Sequence, residues 1–283
     1  MHANAQKARA LLGMDAFPLS KPPFEQGTLN ELHLDIPPER DEDIQRDFGD
    51  LVKRMDDILS GELRIVIGIL CTWDTVPVPF MRSYEDVIKP AGTRTVWATR
   101  GNIADMRNFL IKAALDADAT HLWMLDADMV YPKEALWHLI KSNKDIIGGL
   151  ACKRFPPHTP LHLQLPKDSP SVYMVKPSIP PYPPSVEEVA AIGGAGMLLS
   201  RFVLDTPSLR FRDDRFYEGT RVGEDIAFCA DARAAGFHIY QDTRVGFGHI
   251  TPCAVYWAPN TETGKWQLRY QAAGEEPADA VHP

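Results

Sequence analysis

Cysteine is scarce in this sequence, and its placement argues against two kinds of structure. The 283 residues include four cysteines, Cys71, Cys152, Cys229 and Cys253, and no two of them form a CxxC pair. A disulfide framework or a cysteine-based zinc site needs thiols at closer, paired spacing. We therefore expect reduced thiols, as in a cytoplasmic protein.

An excess of positive charge is also absent. There are 30 lysines and arginines against 38 aspartates and glutamates, which gives a net charge of -8 and a pI near 5.6. Because non-specific affinity for nucleic acid comes from cations at phosphates, this balance argues against a general polyanion-binding surface. A local basic groove is still compatible with it.

Long hydrophobic runs are missing too. The longest, such as IVIGILC, are too short to span a bilayer, and the first residues have no apolar stretch of signal-peptide length. The hydrophobic content of 45% and charged content of 24% are those of an ordinary globular protein. We expect a soluble, cytoplasmic protein with no integral membrane association.

What the sequence does contain is an alternation of strand and helix patterns from residue 63 onward. LRIVIGILCTW, RTVWAT, THLWMLD and KDIIGGLA are typical of strands, and NIADMRNFLIKAALDAD and PKEALWHLIKSN of helices. This order predicts an α/β fold, a mostly parallel sheet with helices on both faces. We divide the chain into an N-terminal arm with a helix (1–60), a main domain (61–252) and a partly disordered extension (253–283). Within the main domain, residues 153–188 form a proline-rich loop.

Two aspartates end the third predicted strand, in the segment HLWMLDADMVYP. Ligands bind at the carboxyl ends of strands in an open parallel sheet, and Asp126 and Asp128 occupy such an end. Two carboxylates one residue apart repel each other unless a cation compensates them. Oxygen ligands suit Mg²⁺ or Mn²⁺. The alternative is a solvated turn.

Four segments, in order, resemble the GT-A glycosyltransferases, especially the family-2 group of nucleotide-sugar enzymes. They are GNIADMRNFLIKAAL, LWMLDADMVYPKEAL with its DxD motif, IGGAGMLLSRFVL, and GEDIAFCADARAAGFHIYQD. A fifth, TRVGFGHI, resembles the Val-Gly-His segment of polypeptide N-acetylgalactosaminyltransferases. The resemblance covers about residues 63–250 and implies a Rossmann-like GT-A fold.

On the donor side, the resemblance implies a Mn²⁺ or Mg²⁺ site formed by Asp126, Asp128 and His249. Asp126 would touch the metal or the donor ribose, and Thr72 and Trp73 would contact the nucleobase. The alternatives are a core role for the tryptophan and a hydrogen-bonded loop position for the histidine.

Two arginines are also assigned to the donor side. Arg100 stands where family members often have an acidic residue that reads the base, so the base identity is open. Arg107 is the candidate for the diphosphate region, with a surface helix arginine as the alternative.

On the acceptor side, the resemblance makes Asp225 the catalytic base and Glu224 a residue that orients the acceptor. Both are also favourable simply as acids in the first turn of a helix. Gly193 and Gly194 would form an acceptor-side wall, although helix–strand packing explains them equally well. The Glu-Asp pair implies inversion and the Val-Gly-His segment implies retention. We expect inversion.

The resulting hypothesis is a metal-dependent hexosyl- or N-acetylhexosaminyltransferase. Its donor would be a nucleotide-diphospho-sugar, with a UDP-sugar favoured over a GDP-sugar, and its acceptor a glycan, a lipid-linked sugar, a protein or a modified nucleobase. The alternatives are a nucleotidyltransferase that makes nucleotide-sugars and an inactive sugar-nucleotide-binding protein on the same scaffold. The first would usually show a glycine-rich basic loop after the first strand, which CTWDTVPVPFM lacks.

Overall fold

A computed structural model describes residues 63–73, 75–169, 171–251 and 254–271. The domain described below starts at residue 64, where the chain divides. The predicted N-terminal arm and its helix, and the predicted disorder of the last residues, lie outside the described residues.

A seven-stranded mixed sheet forms the centre of the domain. The strands of the described ranges are β1 (Ile65–Leu70), β2 (Arg94–Ala98), β3 (His121–Asp126), β4 (Met129–Val130), β5 (Ile146–Leu150), β6 (Leu163–Gln164), β7 (Lys176–Pro177), β8 (Val186–Val189), β9 (Met197–Ser200), β10 (Phe216–Tyr217), β11 (Thr220–Arg221), β12 (Ile239–Gly246), β13 (Gly248–Ile250), β14 (Ala254–Asn260) and β15 (Lys265–Gln271). The central sheet has the order β2-β1-β3-β9-β5-β12-β8. β1 runs parallel to β2 and β3, and β12 runs parallel to β5, whereas β9 and β8 are antiparallel to their neighbours. The predicted α/β class is confirmed.

Helices cover both faces of the sheet. They are α1 (Val78–Asp86), α2 (Ile103–Asp116), α3 (Ala135–Lys141), α4 (Arg201–Leu204) and α5 (Glu224–Ala234). Alternate strand residues such as Val66 and Met124 pack in one core with α2 and α5. Trp123, on the other face of β3, packs edge-on against Tyr131, which in turn contacts Phe80 of α1. In the part of the chain described, no helix has the length and apolar character needed to cross a membrane.

A second sheet, of four strands in the order β15-β14-β13-β4, begins at the turn that follows β3. Its strands β14 and β15 form a hairpin within the predicted C-terminal extension, so residues 254–271 are regular structure. The pairing of β13 with β4 brings the segment after β12 back to the aspartate turn. This pairing positions the candidate site.

The proline-rich segment is more ordered than predicted. β6 and β7 pair with each other inside it, and β8 joins the central sheet beside β12. The prediction of a continuous loop over residues 153–188 is therefore wrong at its end. Sequence reasoning missed β8 because VEEV is short and charged, which is acceptable on a sheet edge.

Candidate functional site

A cleft lies at the carboxyl ends of β1 and β3. β1 and β3 are parallel, and both β3 and β5 run antiparallel to β9, so the chain leaves all three strands at one edge of the sheet. The cleft has a volume of about 250 Å³ and is lined by Leu70, Thr72, Trp73, Ile103, Asp126, Ala127, Asp128 and Arg154. It therefore brings together four residues that the sequence analysis assigned to the donor side: Thr72, Trp73, Asp126 and Asp128.

His249 lies directly beside Asp128. In the second sheet His249 pairs with Met129, and the Ile250 amide donates a hydrogen bond of 2.8 Å to the Asp128 carbonyl oxygen. The backbone ladder thus holds the imidazole Nε2 at 3.5 Å from the carboxylate Oδ2 of Asp128. The fold therefore brings His249 back beside Asp128, which the predicted role of His249 as a metal ligand requires.

The hydrogen bonds of His249 leave its Nε2 with the ring's lone pair. Nδ1 lies 2.9 Å from the Cys152 carbonyl oxygen, which can only accept, so Nδ1 carries the proton. Burial lowers the pKa of His249 and favours the neutral ring. A neutral imidazole whose other nitrogen donates to a backbone carbonyl is the usual form of a metal-binding histidine.

Arg154, which the sequence analysis did not single out, completes this part of the cleft. Its Nη2 forms an ion pair with Oδ2 of Asp128, and its Nε donates to Nε2 of His249 at 3.2 Å. The guanidinium carbon lies 5.5 Å from the centre of the Trp73 ring, within cation–π range. The sequence feature that points to Arg154 is its position with Lys153 soon after β5, at the ligand-binding edge of the sheet.

The predicted three-residue metal site is only partly assembled. Across the described ranges, no group of three or more His, Cys, Asp or Glu side chains is close enough to hold a metal ion. Asp128 and His249 are adjacent, but the Asp126 carboxylate is bonded to Arg107. The donor pair fits a divalent cation that takes its remaining ligands from waters and phosphates. A positive guanidinium on the same two donors shows that they accommodate a cation.

The structure corrects the role predicted for Arg107. Its side chain is 3% exposed, so it is neither a surface helix arginine nor open to a diphosphate. Nη2 contacts both carboxylate oxygens of Asp126 at 3.2 and 3.3 Å, Nε donates to Glu224 at 3.3 Å, and Nη1 donates to the Gly194 carbonyl oxygen at 3.0 Å. Arg107 therefore connects the aspartate turn to the start of α5.

Tyr131 supports the aspartate turn from below, and sequence reasoning missed it. Its hydroxyl accepts a hydrogen bond of 2.9 Å from the Asp126 amide and lies 3.3 Å from the carbonyl oxygen of the same residue. The ring is fully buried between aromatic side chains, including Trp123 and Phe247. The apolar face of the sheet thereby fixes the backbone of Asp126.

Asp225 lies at the beginning of α5, beside the glycine pair. Its Oδ2 accepts from the Gly194 amide at 3.3 Å, and its Oδ1 accepts from the Ile226 amide at 2.8 Å. Burial, followed by repulsion from Glu224, raises the pKa of Asp225 to about 6, and Arg107 and the two backbone amides partly offset that rise. Such a carboxylate is ionised at neutral pH yet more basic than an ordinary aspartate.

Internal packing explains one glycine of the pair, Gly194. A Cβ on Gly194 would lie 2.3 Å from the guanidinium carbon of Arg107, so a side chain there would displace the arginine. A Cβ on Gly193 would lie 3.1 Å from Leu161 and 3.9 Å from Asp225. Of the two interpretations of these glycines, the packing one holds for Gly194.

Arg100 is not where the sequence analysis assigned it. It is exposed on the turn after β2, and it is not among the described residues that line the cleft. β2 is the edge strand, on the side of β1 away from β3, which places its end farther from the aspartate turn. The assignment of Arg100 to the donor site is therefore not supported.

Comparison with known proteins finds only distant similarity. No protein-family model matches the chain, and no curated protein sequence matches it. Among solved structures, A197 from STIV is 16% identical with a TM-score of 0.47, over 76% of this chain and 98% of that one. HddC from Yersinia pseudotuberculosis is 16% identical with a TM-score of 0.31, over 71% of this chain and 77% of its own. HddC complexed with GMP-PN is 14% identical with a TM-score of 0.29, over 60% and 97%. Function is therefore inferred from the cleft itself.

Proposed function

We propose that this protein is a metal-dependent glycosyltransferase of the GT-A type. It moves a hexosyl or N-acetylhexosaminyl group from a nucleotide-diphospho-sugar, with a UDP-sugar as the favoured donor. The single observation that carries the proposal is the Arg107 bridge. It places the carboxylate end of the cleft, at Asp126, next to the Glu224–Asp225 pair at the start of α5.

The donor half of the reaction uses the cleft. Trp73, 46% exposed, offers a ring face for stacking against a nucleobase, and Thr72 offers a hydroxyl beside it. Asp128 and His249 would hold Mn²⁺ or Mg²⁺, while Asp126 would accept from the donor ribose. A bound divalent cation would neutralise the negative charge that develops on the departing diphosphate.

The acceptor half uses the beginning of α5. Asp225 takes the proton from an acceptor hydroxyl as that oxygen bonds to the anomeric carbon. The bond between this carbon and the diphosphate oxygen breaks, and attack from the opposite face inverts the configuration. The raised pKa of Asp225, about 6, suits a base that works near neutral pH. Glu224, held by Arg107, is placed to orient the acceptor.

Calorimetric titration of UDP and GDP, each with and without Mn²⁺, tests this proposal. Wild type should bind one nucleotide only with the metal, and Asp128→Ala should lose that binding. Lys144→Ala is a matched surface control, since its ammonium lies over the Tyr240 ring and not in the cleft. Absence of binding of both nucleotides under all metal conditions would reject UDP- and GDP-sugars as donors and favour an inactive scaffold.

A further inference from the structure

Arg154 occupies the two atoms that a divalent cation would need. Its guanidinium bonds Oδ2 of Asp128 and donates to Nε2 of His249, the nitrogen that carries the lone pair. A lone pair that accepts a hydrogen bond from arginine cannot bind a metal at the same time. Arg154 in this position and a metal on these donors therefore exclude each other.

Among the described residues, the side chain of Arg154 has few other contacts. It is 34% exposed, and besides Asp128 and His249 it lies against the ring of Trp73. The backbone around it is anchored, because the Lys153 amide donates a hydrogen bond to the Thr159 carbonyl oxygen and Cys152 forms an antiparallel β-bridge with Pro160. The guanidinium can therefore leave Asp128 by side-chain rotation alone, while the backbone of Arg154 stays at the cleft.

Charge indicates where the guanidinium goes. Two cations on one carboxylate repel each other, so the guanidinium would leave Asp128 if a metal bound there, and the cleft that it already lines is open to it. A planar guanidinium binds phosphate oxygens in two-pronged fashion, and the donor of the proposed function carries a diphosphate in that cleft.

We propose that Arg154 is an exchangeable cation: it neutralises the metal donors in the free protein and transfers to the diphosphate when metal and nucleotide bind. This inference rests on the proposed function. It makes metal and nucleotide binding cooperative, because each ligand favours the same displaced arginine. It also gives the proline-rich segment, through its first residues, a part in donor binding.

The test measures Mn²⁺ affinity by electron paramagnetic resonance of free Mn²⁺, first with the metal alone and then with saturating UDP. Arg154→Gln should bind Mn²⁺ alone about tenfold more tightly than wild type, and the gain from UDP should shrink by about fivefold. Lys153→Gln removes the same charge from the neighbouring exposed position and should change neither value. Arg154→Met serves as a second variant if circular dichroism shows that the glutamine variant does not fold.

Equal or weaker Mn²⁺ binding by the folded Arg154 variant would overturn the inference. Equal tightening by Lys153→Gln would overturn it too, since bulk charge alone would then account for the effect. Calorimetry with UDP and GDP separates the two proposals. Nucleotide binding with no effect of Arg154→Gln on Mn²⁺ affinity rejects only the exchangeable arginine, whereas absence of binding of both nucleotides rejects UDP- and GDP-sugars as donors of the proposed function.

Discussion

The imidazole Nε2 of His249 lies 3.5 Å from Oδ2 of Asp128, although the two residues are far apart in the sequence. Their proximity follows from backbone pairing, because β4 and β13 are neighbours in the second sheet. A side chain positioned by a ladder is held more precisely than one on a free loop. Because the backbone holds His249 and Asp128 together, substitution of either residue tests the proposed metal site directly.

Removal of either member of this pair should weaken metal binding. We expect His249→Gln and Asp128→Asn each to reduce Mn²⁺ affinity in the presence of UDP by at least about tenfold, since even the outer partners of metal ligands contribute 10- to 100-fold. Microcalorimetry of Mn²⁺ in saturating UDP gives the values. His238→Gln, an exposed histidine paired with Glu188, is the control. Unchanged affinity in His249→Gln would remove this histidine from the site.

Arg107 should be important for stability as well as for function. Arg107→Met leaves the carboxylates of Asp126 and Glu224 without their cation, which we expect to cost about 3 kcal/mol of unfolding free energy. Both carboxylates keep some solvent contact, so the cost lies at the low end for a broken buried pair. Urea denaturation measures it. Lys112→Met breaks an exposed pair on the same helix, with Asp116, and should cost no more than about 0.5 kcal/mol. Similar losses in both variants would contradict the buried-link interpretation.

The two adjacent glycines should respond differently to the same substitution. Gly194→Ala puts a methyl group 2.3 Å from the Arg107 guanidinium carbon, and we expect a loss of about 2 kcal/mol from overpacking. Gly193→Ala meets only the end of a leucine side chain at 3.1 Å and should cost less. Thermal unfolding of the two variants under identical conditions checks the order. A larger loss at Gly193 would show that the arginine adapts and the loop does not.

Activity should depend on pH through Asp225. Because its pKa is raised to about 6, the ionised base should be half populated near pH 6, and the rate of UDP release from a UDP-sugar should rise through that pH to a plateau. Asp225→Asn should lower the rate by about 100-fold or more. Glu224→Gln removes a negative neighbour that raises the pKa of Asp225, so the rise in rate should occur at lower pH. A profile that is flat between pH 5 and pH 8 would exclude Asp225 as the base.

The same shift predicts an effect on stability of a definite sign. The folded protein holds the Asp225 proton more tightly than the unfolded chain, whose pKa is that of an ordinary aspartate. The stabilising contribution is therefore complete below about pH 4 and is lost as the pH rises through about 6. The urea midpoint of wild type relative to Asp225→Asn should fall over this interval. A rise instead would mean that the carboxylate is stabilised in its charged form.

Local pattern was sufficient for much of the fold. The apolar runs around β1, β3 and β5, the amphipathic stripe of α2 and the start of α5 at Glu224 were all predicted, because burial on a sheet or helix face imposes a period on the sequence. The same periodicity predicts that Asp126 and Asp128 lie at the end of a strand. Two short patterns are missed for different reasons. β8 pairs with β12, which is remote in the sequence, and the first strand of the local β14–β15 hairpin contains Pro259, which disfavours a strand prediction.

What the sequence by itself determined is the class of the domain and the residue types at its sheet edge. Only the tertiary structure decided which of those residues meet. The sequence predicts that Arg107 faces a ligand, whereas the fold buries it between Asp126 and Glu224. Arg154, within a segment predicted to be a loop, contacts Asp128 and His249. The physical reason is that an ion pair between remote residues leaves no periodic signature in the chain. It exists only where the packed sheets bring opposite charges together and exclude the water that would otherwise solvate them.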